Sequence, residues 1–169
     1  MKILVIDDNT DHRQAAIQTL GSAHNLTVVG THDEAIKLLS VPYDSESDPY
    51  WDAVLCDLLM PVSEDRQGSE GRKLAGTEMP IGWALAIDAA LNGAKYVAVV
   101  TDKNHHDHPA SALLDRMCDT VFEINGANAL FTSYGGLVDI KDTNERGKNW
   151  AYTLECLIRG NANQVATEL

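Results

Sequence analysis

Three aspartates and a threonine stand where apolar runs end. Asp7 and Asp8 close the run ILVI, Asp57 closes AVLC, and Thr101 follows YVAVV. A carboxylate inside an apolar strand is costly, so each belongs at a strand's end and needs a partner. Taken singly, Asp57 also reads as a surface residue just past a buried strand. Brought together, three carboxylates repel one another unless a cation joins them. Oxygen-only donors suit Mg²⁺, which keeps several waters and takes a few carboxylates.

The intervening chain decides whether they meet. Ile3–Ile6 is a short apolar run fit for a strand buried on both faces. Asn9-Thr10-Asp11 starts a helix with an acid at its positive end, and Ala15, Ala16, Ile17 and Leu20 supply its buried stripe. Leu26–Val29 is a second strand, and Thr31-His-Asp-Glu34 has the form of a capping box before the next helix. The polar stretch Val41–Tyr50 is a loop before the third strand, Ala53–Cys56. A helix opens at Pro80 and closes at Asn92-Gly93, ahead of a fourth strand, Tyr96–Val100. Pro109 starts another helix, Val121–Ile124 reads as a fifth strand, and a final helix runs from about Lys148 to Arg159 with Trp150, Leu154, Leu157 and Ile158 on one face.

This alternation predicts a doubly wound α/β fold, a flavodoxin-like five-stranded parallel sheet in the order 2-1-3-4-5. In that order strands one and three are neighbours, so Asp7, Asp8 and Asp57 converge beyond their carboxyl ends with Thr101 alongside. Residues 1–160 form the domain, interrupted at about 63–79 after strand three and 126–146 after strand five, and 161–169 is a tail.

Composition narrows the classes. The 169-residue chain is 44% hydrophobic and carries a net charge of −12, which disfavours a nucleic-acid surface and suits cations or a basic protein partner. Cys56, Cys118 and Cys156 fit neither a zinc pattern nor a disulfide framework and read as reduced thiols. No signal peptide and no run of about 20 apolar residues is evident, so the reading is a cytoplasmic protein with no membrane partner.

ILVIDDN at 3–9, LCDLLMP at 55–61 and VAVVTD at 97–102, in this order on this scaffold, resemble the receiver domain of two-component response regulators. The resemblance covers most of residues 1–160. It implies that Asp57 is the phosphoacceptor, attacking a phosphoryl group on a histidine kinase or histidine phosphotransfer protein. It implies that Asp8, Asp57 and the carbonyl of Leu59 hold Mg²⁺, with Asp7 acting mostly through water. Thr101 would bind the phosphoryl oxygens, and Phe122 would be the switch aromatic. A stand-alone receiver of this kind is no enzyme in its own right and signals to a downstream protein by contact.

The pattern departs at the lysine that receivers carry after strand five. Counting from Phe122 puts Asn125 and Gly126 there, and Lys103 and Lys141 are the stand-ins on offer. The absence favours a pseudo-receiver that binds partners without being phosphorylated. An aspartate-nucleophile phosphatase, with Asp7 attacking, is a third reading. The 63–79 insertion, with Arg66, Arg72 and Lys73, reads as a solvated loop or a partner-binding lid. Ala129–Thr132 and Leu137–Ile140 around Ser-Tyr-Gly-Gly suggest a hairpin. His105-His106-Asp107-His108 reads as a loop whose His108 caps the following helix.

Overall fold

The computed structural model describes residues 1–40, 50–63, 68–117, 120–133 and 136–160. Arg66, Cys118, most of the 41–50 loop and the 161–169 tail lie outside the described residues. The chain runs β1 (Lys2–Ile6), α1 (Thr10–Leu20), β2 (Asn25–Val29), α2 (His32–Leu39), β3 (Ala53–Asp57), β4 (Met60–Pro61), α3 (Gly68–Gly71) and β5 (Glu78–Met79). It continues with α4 (Gly82–Leu91), β6 (Tyr96–Val100), α5 (Pro109–Leu114), β7 (Val121–Ile124), β8 (Ala127–Thr132), β9 (Leu137–Asp139), β10 (Arg146–Lys148) and α6 (Trp150–Arg159).

The local signals act as anticipated. Asn9 caps α1 by accepting from the Asp11 amide, Thr31 caps α2 through the Glu34 amide, and His108 Nδ1 accepts from the Ala110 amide. Strand residues alternate between two cores. Leu4, Ile6, Val54 and Cys56 face the α2 and α4 side, while Ile3, Val5, Ala53 and Leu55 pack with Leu20, Trp150, Leu154 and Leu157 of α1 and α6. Both faces are covered, as a mainly parallel sheet requires. Ile17 and Ile158, assigned to buried stripes from spacing, are instead about half exposed. Among the described residues no helix is long and apolar enough to cross a membrane.

The six-stranded sheet has the order β2-β1-β3-β6-β8-β7, parallel throughout except β7. The first four places match the expectation and the fifth does not. Val121–Ile124 is an edge strand antiparallel to β8, and β8 takes the place beside β6. The cause is the turn Asn125-Gly126, both with positive φ (50° and 84°), which folds β7 directly onto β8. Ala127, Ala129, Leu130 and Phe131 are all buried, so β8 is suited to an interior place that the half-exposed β7 is not. The hairpin expected between 129–132 and 137–140 is therefore absent, and Leu137–Asp139 pairs with Arg146–Lys148 instead.

The 63–79 segment is more than a loop, since β5 pairs with β4 (Met60↔Met79, Pro61↔Glu78). The β9–β10 hairpin lies against α1 at Gly147, where a Cβ would stand 2.5 Å from Ala15 Cβ and 2.7 Å from the Asp11 carbonyl oxygen. Gly147→Ala should lift β10 off α1 and lower stability by about 1–3 kcal/mol, the usual cost of overpacking. Urea denaturation checks this, and an unchanged midpoint would mean the contact yields easily.

Candidate functional site

The alternation that builds the core also aims the acids. Asp7 continues the Ile3–Val5 parity of β1, and Asp57 the Ala53–Leu55 parity of β3, so both face the α1 and α6 side at the carboxyl edge of the sheet. Asp7, Asp8 and Asp57 each place a carboxylate oxygen within 4.8 Å of the others, the one such group of three potential metal ligands among the described residues. Arg13 of α1 fixes the backbone that presents them, donating from Nη1 to the carbonyl oxygens of Asp7 (2.9 Å) and Asp8 (2.6 Å). The Asn9 amide donates to Asp7 Oδ1 at 2.9 Å. Leu59 lines the same small pocket as Asp8 and Asp57.

The ammonium at this cluster comes from Lys148, the last residue of β10. Its Nζ lies 2.8 Å from Asp7 Oδ2 and 2.5 Å from Asp57 Oδ1, and its side chain is 3% exposed. Neither residue named from sequence fills the role. Lys103 is exposed at the mouth of the pocket, its amide donating to Thr101 Oγ1, and Lys141 is exposed with its amide on Gln18. Thr101 is 1% exposed at the end of β6, beside Lys148 in a second small cavity under the β9–β10 hairpin. Phe122 lies elsewhere. It pairs with Ala129 at the level of Val97, about 13 Å along the strand direction from Thr101 at 3.3 Å per residue, and it stacks edge-on against Phe131.

Burial, the largest effect, pushes the Asp57 carboxyl up, Lys148 opposes that, and Asp7 reinforces it. Asp8 is raised by burial and then by Asp7. Lys148 is held above its ordinary value because its two carboxylates outweigh its own burial. Burial, with Asp57 and Asp7 nearby, pushes the Cys56 thiol up and keeps it protonated and inert.

The donor set fits a hard divalent cation. All three donors are carboxylate oxygens, and three ionised carboxylates against one ammonium leave two negative charges at the cluster. Glu78 of β5 and Asp102 line the pocket as well, so the insertion after β3 adds an acid that spacing did not reveal. The histidine tract joins no such cluster. His105 and His106 are exposed, with ring nitrogens 2.7 Å apart, and His105 pairs with Asp115.

Glu78 was hidden from spacing because it arrives on a short strand inside an insertion. Lys148, read from spacing as the start of the last helix, instead ends strand β10, with Asn149 capping a helix that begins at Trp150. The signal for Lys148 was its place just ahead of the amphipathic last helix, whereas the receiver pattern puts its lysine three residues after Phe122. Comparison of the chain with protein-family models, curated proteins and solved structures finds no match, so the geometry of this site carries the functional reading.

Proposed function

We propose that this protein is a receiver-like phosphoryl acceptor in two-component signalling, with Asp57 as the nucleophile. The observation that carries the reading is the buried Lys148 ammonium joining Asp57 to Asp7 beside a third carboxylate, because it supplies the cation that the sequence pattern lacked. Asp57 attacks the phosphorus of a phosphohistidine on a kinase or phosphotransfer protein, and the phosphorus–nitrogen bond breaks as the new phosphorus–oxygen bond forms. Asp8, Asp57 and the Leu59 carbonyl would hold Mg²⁺, with Asp7 acting mostly through water, and the ion would supply charge neutralisation for the phosphoryl oxygens. Lys148 pairs with those oxygens once Asp57 has reacted, and the Thr101 hydroxyl hydrogen-bonds them. Only the capping Asn149 separates Lys148 from α6, so a movement of its ammonium is felt at the start of that helix, where a downstream protein can read it.

A pseudo-receiver remains the second reading, because the Lys148 ammonium already occupies Asp57 Oδ1. Asp7 is poorly suited to be a phosphatase nucleophile, since both its oxygens are hydrogen-bonded and its side chain is 0% exposed. Acetyl phosphate with Mg²⁺ should place one acyl phosphate on Asp57, detected by mass spectrometry, and Asp57→Asn should abolish it. A wild-type chain that stays unlabelled, by acetyl phosphate and by a panel of phosphorylated phosphotransfer proteins, favours the pseudo-receiver. Label surviving in Asp57→Asn removes Asp57 from the role.

A further inference from the structure

Two backbone carbonyls at the site converge on one nitrogen. The carbonyl oxygens of Asp7 and Asp8 both accept from Arg13 Nη1, at 2.9 and 2.6 Å, and Arg13 Nη2 donates to Thr10 Oγ1 at 3.0 Å. Side by side, the negative ends of two carbonyl dipoles repel, and a charged donor shared between them replaces that repulsion with two strong bonds. The guanidinium sits against Gly30, just past β2, where a Cβ would stand 2.9 Å from Nη1 and 3.1 Å from Cζ. The helix that carries Arg13 is itself anchored. Trp150 Nε1 donates to the His12 carbonyl at 2.9 Å, and His12 Nε2 lies 3.4 Å from Asp102 Oδ2.

Adjacent residues of a strand send their side chains to opposite faces. Asp7 and Asp8 are adjacent, yet each brings a carboxylate oxygen within 4.8 Å of the other's and of Asp57's. The chain must therefore turn at this pair, and the peptide units that make the turn are the two whose carbonyls Arg13 holds. We propose, on the cation site of the phosphoryl-acceptor reading, that Arg13 is a positioning residue for the divalent ion. By drawing both carbonyl oxygens onto one guanidinium it aims the Asp7 and Asp8 carboxylates at Asp57, and so sets the affinity for the cation. Rotation of either peptide would carry the Asp8 carboxylate away from Asp57. Charge alone argues the other way. A guanidinium beside an acid cluster repels an incoming cation, so a purely electrostatic role predicts tighter binding once it is removed. Positioning predicts weaker binding, and the opposite signs separate the two roles.

Mn²⁺ is the probe, a hard cation that carboxylate and carbonyl oxygens suit as they do Mg²⁺, and its free form is read by electron paramagnetic resonance. The full chain is titrated as wild type, Asp8→Asn, Arg13→Gln, Arg13→Lys and Gly30→Ala, and Asp8→Asn identifies the binding that belongs to this site. Arg13→Gln should weaken that binding about ten-fold or more, the usual effect of removing a group that orients a metal ligand. Arg13→Lys keeps the charge but loses the planar fork, and should weaken it too. A strut that merely stiffened α1 would lower the urea midpoint and leave the affinity of the folded protein unmoved. Unchanged or tighter binding in Arg13→Gln or in Arg13→Lys overturns the proposal and leaves the cation site intact. Absence of any Mn²⁺ binding that Asp8→Asn removes overturns the site and the proposal together. Should neither Arg13 variant fold, Gly30→Ala decides, because its Cβ alters no charge and meets Arg13 atoms first. Wild-type affinity there counts against the proposal.

Discussion

Replacing Lys148 with methionine should destabilise the protein by about 3–5 kcal/mol at neutral pH in the absence of divalent cations, the usual cost of removing one partner from a buried ion pair. The substitution keeps the aliphatic stem and removes the charge, so packing is largely preserved. Asp7, Asp8 and Asp57 then face one another without the ammonium that touches two of them. Two treatments should restore much of the loss. A divalent cation binding the folded form stabilises it by mass action. Acid should do the same, because the folded state already holds a proton on Asp57 more tightly than the unfolded chain does. For a carboxyl raised by folding, stability is greatest at low pH and declines as pH rises from the ordinary carboxylate value through the raised one. The deficit of Lys148→Met should therefore widen with pH. The raised Lys148 value works in the alkaline range, where the wild type keeps its ion pair until pH passes well above the ordinary lysine value. Urea denaturation from pH 5 to pH 8, with and without Mg²⁺, gives the comparison. A variant as stable as wild type, or a deficit blind to both treatments, would mean that the ammonium does not hold the acids together.

Gly82→Ala should be nearly as damaging, against the direction of helix propensity. Alanine is normally favoured over glycine within a helix by about 1 kcal/mol. Here a Cβ would stand 2.0 Å from the Asp57 carbonyl oxygen, 2.9 Å from its carbonyl carbon and 3.0 Å from Leu58 Cα. All three are backbone atoms at the end of β3, and none can rotate aside. The Gly82 amide also donates to the Leu58 carbonyl at 3.1 Å, so α4 is pinned where the clash occurs. Either α4 retreats or the strand end that carries Asp57 bends. The expected outcome is a loss at or above the 1–3 kcal/mol typical of overpacking, with acyl-phosphate labelling reduced in the protein that does fold. An unchanged denaturation midpoint with full labelling would mean that the helix and strand are less closely fitted than their backbones imply.

The alternating apolar runs and capping residues made the central sheet legible in sequence, and with it the convergence of Asp7, Asp8 and Asp57. Parity along a strand is a local property, and so is the choice of cap at Asn9, Thr31 and His108. The order of the last strands was not legible, because it depends on which of two short runs is buried on both faces. Val121–Ile124 and Ala127–Thr132 each look like a fifth strand. The Asn125-Gly126 turn and the fully apolar inner half of β8 separate them only once packing is known. The roles expected of Phe122 and of a lysine near Asn125 share that ambiguity. Lys148, Glu78 and the His12–Asp102 contact depend on tertiary approach between elements far apart in sequence, for which no spacing rule exists.

The contact between Asp7 and Lys148 spans 141 residues. Closing so long a loop has an entropic cost that later contacts must offset, so the pair is completed only when nearly the whole chain has collapsed. A ribosome-bound chain can assemble β1, β2, β3 and β6 while its acids still lack their ammonium. In that interval the half-made site is a patch of crowded negative charge, open to any free cation in the surrounding solution. The ion pair is thus present only after the β9–β10 hairpin has emerged and docked.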